Sequence, residues 1–183
     1  MSTVPLLGGN GEATANIGVF SNPVFTDPVQ LDQTVPVGSE LYIGMYVTAV
    51  DGDTFASTAQ NCFAVPEKNP NDPNRVDLIK NSCPAFNFVK MIENGVSLQI
   101  RFSIRSFTFG NSGTVYIYCT LRLCAKNSPD CDACKASGRA AGGLESEPMI
   151  AGPITFSDPS DSGFHTAFSW TLLAGALLSL RLL

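Results

Sequence analysis

The stretch that decides the fold is GTVYIYCTLRLC, residues 113–124, in which apolar and more polar side chains alternate. Successive side chains of a β-strand point to opposite faces of its sheet, so this pattern predicts a strand with one buried face. Cys119 then points into the core, and Cys124 points away from it. The side chains expected on the buried face are those of Val115, Ile117, Cys119, Leu121 and Leu123.

Five further short blocks of apolar residues have the same strand-like character. Each is bounded by residues that favour turns, mainly Gly, Pro, Asn, Asp and Ser. Charged residues are few, at 15%, and no long run rich in Ala, Glu, Lys and Leu interrupts the blocks. The sequence therefore predicts an all-β domain. The five blocks occupy residues 17–25, 40–49, 61–65, 75–79 and 97–109.

The block at residues 97–109 predicts a strand with one solvent-facing side, because Ile100, Phe102 and Ile104 alternate with polar residues. Phe107 continues the apolar pattern one residue late, which predicts a β-bulge near Arg105 and Ser106. The turn residues GNSG at 110–113 follow. We therefore expect the strand after them to pair back antiparallel onto this one.

The chain is long enough for one folded domain, which we place at residues 14–156. Residues 1–13 are Gly-rich and aperiodic, and we interpret them as a linker remnant that carries no fold information. They lack the positive and apolar regions of a signal peptide, so we expect a fragment of a secreted precursor or a late-starting isoform. Residues 157–183 are expected to form a C-terminal hydrophobic tail, whose apolar end is shorter than the run of about 20 residues that a membrane-spanning helix needs.

Charge and residue types exclude several function classes. The 11 basic residues form no cluster among 16 acidic ones, so we expect protein partners and no nucleic acid. The single histidine, His165, lies in the tail, where it cannot complete a hydrolytic triad, and we expect no enzyme and no cofactor. Asp51 and Asp53 lie in a Gly-containing turn without the spaced carboxylates of a calcium loop. The Pro-rich run at residues 66–73 predicts a surface loop.

The six cysteines, an even number crowded into residues 62–134, predict three disulfides in an oxidising compartment. A zinc site built from the last four is the alternative, but only one of its gaps is the usual CxxC. A core-facing Cys119 is expected to reach Cys62 in the facing sheet, as in immunoglobulin domains, while Cys124 reaches only the loop that ends at Cys131. Among the 15 possible pairings this set, completed by Cys83 with Cys134, is preferred.

Spacing and local phrases resemble one known family. The gaps are Cys62-x20-Cys83 and then Cys119-x4-Cys124-x6-Cys131-x2-Cys134. NCFAVP (61–66), GTVYIYCTLRLC (113–124) and PMIAGPITF (148–156) accompany them. Together they resemble the C-terminal half (ZP-C) of the zona pellucida (ZP) module, of the type found in uromodulin and the pancreatic secretory granule major glycoprotein. The resemblance covers about residues 14–183 and implies an immunoglobulin-like β-sandwich.

The resemblance also implies pairings and patches. The disulfides of the uromodulin-like class would join Cys62 with Cys119, Cys83 with Cys134 and Cys124 with Cys131. The first strand of the domain would carry an internal hydrophobic patch at Ile17, Val19 and Phe20. Residues 148–156 would hold an external hydrophobic patch, which is expected to comprise Met149, Ile150, Gly152, Pro153, Ile154 and Phe156. We expect Met149, Ile150, Ile154 and Phe156 to be buried against the sandwich next to residues 17–25.

In such a protein, cleavage between the last cysteine and the external patch would free that patch as a strand. A strand of another ZP-module subunit would then replace it, giving homo- or heteropolymers. The multibasic site of many family members is missing from the cleavage loop, residues 135–147, so a trypsin-like membrane protease cutting after Arg139 is expected. The N-terminal half of the module is also missing from the sequence.

The tail resembles an anchor signal. Small residues, with Ser160 or Asp161 as the attachment site, precede a short spacer and an apolar run, which is the order of a GPI signal. The alternative is a marginal transmembrane segment in which Arg181 snorkels to the interface. Cell-surface and, after cleavage, secreted forms are expected. A ligand-binding ectodomain of a ZP-type co-receptor is the alternative function, but such a receptor would carry a full transmembrane helix and a cytoplasmic segment.

Overall fold

A computed structural model describes residues 2–6, 13–110, 112–131, 134 and 144–157. They form two packed β-sheets and one 3-10 turn, η1 (Pro129–Cys131). The strands are β1 (Ser2–Pro5), β2 (Thr14–Phe20), β3 (Thr34–Pro36), β4 (Glu40–Thr48), β5 (Phe55–Val65), β6 (Val76–Lys80), β7 (Cys83–Pro84), β8 (Val89–Glu93), β9 (Gln99–Arg105), β10 (Thr114–Ala125), β11 (Leu144–Glu145) and β12 (Met149–Ser157).

The first sheet has the strand order β1-β2-β4-β9-β8, and all its neighbours are antiparallel. Register across the middle of the sheet places Ile17 beside Met45 and Ile43 beside Phe102. These four side chains are fully buried and form one half of the core. The sheet therefore presents its alternating apolar residues inward, as the sequence pattern predicts.

The second sheet has the strand order β3-β12-β10-β5-β6-β7. β10 lies inside it, with β5 paired along one edge and β12 along the other. β11 pairs with the far end of β10 on the β12 side. Apart from the short parallel contact between β3 and β12, the described pairs in this sheet are antiparallel.

The predicted faces of β10 are confirmed. All five residues expected in the core belong to the main buried cluster, and none is more than 5% exposed. Cys124 lies on the opposite face in a separate small cluster with Ala56 and Cys131. The all-β sandwich with three disulfides is thus established, and β10 is the strand around which the second sheet is organised.

One expectation about the disulfides is wrong. The Cys62–Cys119 bond was expected to cross from one sheet to the other, but the two cysteines are directly opposed on neighbouring strands of the same sheet. Their Cα atoms are 4.1 Å apart. Parity along β10 correctly places Cys119 on the core face, yet it cannot tell a neighbouring strand from a facing one.

The predicted hairpin between residues 97–109 and 114–124 is also wrong. β9 belongs to the first sheet and β10 to the second, so the turn between them carries the chain across the sandwich. The expected bulge at Arg105 and Ser106 is the end of β9. Ser106 N donates to Ser39 O at 2.8 Å, which continues the register of β9 with β4 by one residue beyond the strand end.

The N-terminal residues correct a third expectation. Ser2–Pro5 form β1, which pairs with β2 in the register Ser2 to Ile17 and Pro5 to Thr14, so part of the expected linker contributes to the fold. β5 also begins at Phe55, six residues before the expected strand. The Pro-rich run at residues 66–73 is a loop, as predicted.

Candidate functional site

β12 is the segment that sequence reasoning singled out as the external patch, and it is a full strand of the second sheet. Its register with β10 runs from Met149 opposite Cys119 to Thr155 opposite Thr114. On its other side β3 pairs with Thr155, Phe156 and Ser157 only. β12 is therefore held mainly by its ladder with β10.

The core-facing side of β12 is apolar and buried. Met149, Ile154 and Phe156 are 0%, 2% and 8% exposed. Ile150 is only half-buried, which corrects the expectation that it is buried with them, because its side chain lies on the outer side of the strand opposite Tyr118. Gly152 is exposed and Pro153 half-buried. The patch thus consists of one buried face and one partly exposed face.

β12 faces β2 across the sandwich and does not pair beside it. A cleft of about 300 Å³ separates the two strands and is bordered by Ile17 and Val19 on one side and residues 150–154 on the other. Of the expected internal patch, Ile17 and Val19 belong to the main core. Phe20 lies on the outer face, where its ring contacts Phe25 at a centroid distance of 5.5 Å. The structure therefore brings only Ile17 and Val19 to the external patch.

Gly152 lies where the backbone of β12 passes close to the backbone of β10. Its φ is +121°, a conformation that favours glycine, and a Cβ atom there would lie 2.9 Å from the carbonyl oxygen of Val115. The β10–β12 register also shifts between Val115 and Ile117. The glycine thus lets β12 pass the irregularity without losing its place on β10.

A short second contact precedes β12. β11 pairs Glu145 with Arg122 and Leu144 with Leu123. Ser146 follows, with its N donating to Leu121 O at 2.9 Å and its Oγ accepting from Leu121 N at 3.0 Å. Sequence reasoning missed this contact, since nothing in LES at 144–146 indicates a strand until the register of β10 is known.

The opposite edge of β10 is covalently held. Ten residues of β10 pair with β5, from Tyr116 opposite Val65 to Ala125 opposite Phe55. Cys62 and Cys119 are bonded within this ladder. Tyr118 stacks on Phe63 of β5 with ring centroids 5.3 Å apart, and burial raises the pKa of the Tyr118 phenol, with a smaller contribution from the nearby Tyr116.

All six cysteines are joined in disulfides, in the pairs Cys62–Cys119, Cys83–Cys134 and Cys124–Cys131. Bonded sulfurs provide no thiolate for a metal, so the alternative of a zinc site is excluded for these residues. Every cysteine precedes residue 135 in the chain. No disulfide therefore reaches β11 or β12.

Several expected sites lie outside the described residues. These are Arg139, most of the cleavage loop, the attachment residues Ser160 and Asp161, and the tail with His165. Among the residues that the structure does describe, no helix is long and apolar enough to cross a bilayer.

Comparison with known proteins adds independent findings. Residues 9–135 match the family model described as Zona_pellucida, ZP-C domain. Rat uromodulin is 35% identical over 157 residues, which cover 81% of this chain and 24% of that protein. The canine pancreatic secretory granule membrane major glycoprotein GP2 is 31% identical over 183 residues, covering 90% of this chain and 36% of that protein. Mouse alpha-tectorin is 29% identical over 136 residues, which cover 72% of this chain and 6% of that protein.

The chain thus spans between 24% and 36% of the length of the uromodulin and GP2 relatives. The matched range of the family model ends at residue 135, before β11 and β12.

Proposed function

This chain belongs to the zona pellucida family as a ZP-C domain, and from that premise we propose that it keeps its precursor unable to assemble until a protease cuts after Arg139. The family is one of extracellular structural glycoproteins, so the chain is a structural module and not an enzyme. The cut would release the external patch and permit extracellular filament or matrix formation with other ZP-module subunits.

The observation that carries the proposal is the position of β11 and β12. Both lie after Arg139 in the chain, and both cover the same edge of β10. The other edge of β10 is bonded to β5 by Cys62–Cys119. Only the peptide chain through residues 135–143 links the covering segment covalently to the rest of the fold. Cutting that link leaves the segment held by non-covalent contacts alone.

The contacts of β12 are sufficient to hold the strand in place while the chain is intact. Burial of Met149, Ile154 and Phe156 stabilises the seated strand by about 1.5–3 kcal/mol for each side chain before entropy costs. A short intact linker also holds the strand at an effective concentration on the order of millimolar. Cleavage ends this increase in effective concentration and leaves the contacts of the strand unchanged. The strand then leaves at a rate set by its own contacts.

Release would open β10 to a partner. An uncovered strand edge offers unpaired N–H and C=O groups, and a strand of a second subunit can satisfy them by β-augmentation. Ile17 and Val19 lie across the cleft from β12, so we propose that they hold the seated strand and later the incoming one. Phe20 of the internal patch packs on the outer face and would stabilise β2 itself.

We further propose that the tail attaches the precursor to the cell surface, with Ser160 or Asp161 as the residue that carries a GPI anchor. Phosphatidylinositol-specific phospholipase C should then release the uncleaved surface pool of the precursor. Complete resistance would identify the marginal transmembrane segment as the anchor instead.

The test of cleavage is the double substitution Arg139→Ala with Lys135→Ala in the natural precursor, expressed in cells that make its filaments. Lys135 is replaced because it is the nearest other basic residue. Secretion and folding should stay intact, since both residues lie outside the described strands and neither is a cysteine, while electron microscopy should find no filaments. Normal filaments from this variant would overturn the cleavage mechanism and the role of a trypsin-like membrane protease.

A further inference from the structure

We propose that residues 144–146 form a clasp on β10 that holds the cleaved segment in place, so that assembly is limited by opening of the clasp after the cut. This inference rests on the proposed release of β12. It concerns what happens between cleavage and departure of the strand. The clasp consists of β11 and Ser146, with Leu121 and Arg122 of β10 as their partners.

Ser146 supplies a hydrogen-bond acceptor to β10 at a shift in the strand register. β11 pairs with β10 in the register that places Glu145 opposite Arg122. β12 pairs with β10 from Met149 opposite Cys119, so the register along β10 shifts by one residue between the two contacts. At the shift, Leu121 N donates to the Ser146 side chain, which stands where a backbone carbonyl would otherwise accept. Ser146 is only 5% exposed, so without its hydroxyl a buried N–H would lose its acceptor.

Ser146 also touches the first sheet. It forms an isolated antiparallel bridge with Leu6, the residue that follows β1. Leu6 is itself a member of the main core. Ser146 therefore lies between β10 of the second sheet and the end of β1, and the clasp is fixed from two sides.

The ion pair between Arg122 and Glu145 adds a contribution to the clasp that depends on salt concentration. Arg122 Nη2 donates to Glu145 Oε1 at 3.2 Å, and the Arg122 side chain is 13% exposed whereas that of Glu145 is 59% exposed. The same nitrogen donates to Gln60 Oε1 at 2.6 Å, so the fixed strand β5 holds the guanidinium in position. A pair with one exposed partner is weak and is screened by added salt.

The position of the clasp gives it a function. A cut after Arg139 leaves a new chain end only a few residues before Leu144. A strand that is released from a sheet peels most readily from an end, and the clasp occupies the end nearest the cut. Ser146 and Glu145 are therefore positioning residues that decide how fast the cleaved segment leaves.

The experiment measures departure of the segment directly. A recognition sequence for a specific protease replaces residues 136–139 in the purified precursor, and the cut protein is followed by size exclusion with mass spectrometry. Loss of the segment that begins after the cut gives a rate. The variants are Ser146→Ala and Glu145→Gln, and Glu147→Gln is the matched control because Glu147 is exposed and makes no ion pair among the described residues.

Ser146→Ala should speed departure at least about fivefold, because it leaves the buried Leu121 N–H without its acceptor. Glu145→Gln should speed it about twofold in low salt, and this difference should vanish near 1 M salt. Glu147→Gln should match the unsubstituted protein at both salt concentrations. Glu145→Gln changes an exposed carboxylate, so it also tests the idea if Ser146→Ala fails to fold.

Equal departure rates for Glu145→Gln and Glu147→Gln in low salt would overturn the ionic part of the clasp, and they would overturn the clasp as a whole where Ser146→Ala does not fold. An unchanged rate for a folded Ser146→Ala protein would overturn the clasp itself. Either result leaves the cleavage mechanism standing, provided that the Arg139→Ala, Lys135→Ala precursor makes no filaments. If the cut segment never leaves any of the proteins and filaments still form, the proposed function fails along with the clasp.

Discussion

Both edges of β10 are paired with buried strands, yet only the β5 edge carries a disulfide. Along the β5 edge, the ladder contains the Cys62–Cys119 bond, and both cysteines are at most 1% exposed. Along the β12 edge, Met149 is fully buried opposite the same Cys119, but no disulfide is formed. Burial alone therefore does not distinguish the disulfide-bonded edge from the edge that we propose is released. The difference lies in which side of the proposed cut each strand belongs to.

The proposed cut would let a stable precursor and a reactive subunit share one fold. While the chain is intact, the strand at either edge is tethered, and the domain is a complete sandwich. After the cut, the β5 edge keeps its covalent link and the β12 edge keeps only its contacts. Cleavage of a single peptide bond would thus remove the tether of β12 and leave its contacts with β10 unchanged.

The largest expected effect comes from a charge on the buried face of β12. Ile154→Asp removes a side chain that is 2% exposed and places a carboxyl group in the core, which should weaken seating of the strand by about 5 kcal/mol. The uncut precursor should then aggregate or be retained in the cell. The secreted fraction and its size distribution measure this. Thr155→Asp is the control on the other face of the same strand, and equal defects in both would show that the face does not matter.

Breaking the permanent edge should cost slightly less. Joint replacement of Cys62 and Cys119 by Ser should destabilise the domain by about 2–5 kcal/mol and sharply reduce secretion. The Cys124–Cys131 bond closes a loop with a sequence separation of 7, against 57 for Cys62–Cys119. Chain entropy therefore predicts a loss smaller by about 2 kcal/mol when Cys124 and Cys131 are replaced. Denaturant unfolding compares the two, and an equal loss would contradict this prediction.

Gly152→Ala should have a smaller, local effect. A Cβ at a φ of +121° and 2.9 Å from Val115 O strains the β10–β12 contact, so seating should weaken by about 1–3 kcal/mol. Gly113→Ala is the matched control, because a Cβ there meets only Phe156 O at 3.8 Å. Amide hydrogen exchange in β12 reports the seating. Faster exchange in the Gly113 variant than in the Gly152 variant would contradict the role of Gly152.

The smallest effect is spectroscopic. Burial, assisted by Tyr116, raises the pKa of Tyr118 above its ordinary value of 10.0, and Tyr118 lies between Phe63 of β5 and Ile150 of β12. A raised phenol pKa stabilises the folded form below pH 10, and this stabilisation is lost as the pH rises through the folded value. Departure of β12 should expose the phenol and lower its pKa. The difference in tyrosinate absorbance between the protein and its Tyr118→Phe variant measures it, and no change after release would contradict this account.

Sequence reasoning predicted well whatever depends on one strand at a time. Alternation gave the faces of β10 and identified its five core residues because side-chain direction is a local property. Pairing is not local. Hence Cys62 proved to lie beside Cys119 and not across from it, and β9 proved to belong to the other sheet from β10.

The candidate site on β12 was predictable from the sequence where it depends on one strand, and not where it depends on pairing between strands. The phrase PMIAGPITF marked β12 through its resemblance to a family pattern. Ile150 follows core-facing Met149 and Phe20 follows core-facing Val19, so alternation along β12 and β2 already places both on the outer face, and the sequence pattern could have shown this. Ser146 and Arg122 gain their partners only through a one-residue register shift between β11 and β12. No periodicity in so short a segment indicates such a shift.

The most direct test of the central claim is the composition of the filament subunit. Filaments assembled by the natural precursor are purified, dissolved and mapped by peptide mass spectrometry. Release of β12 predicts a filament subunit that ends at Arg139 and retains all six cysteines in their three bonds, with residues 144–157 missing from the filament. Recovery of residues 144–157 in amounts equal to the rest of the subunit would contradict the release of β12.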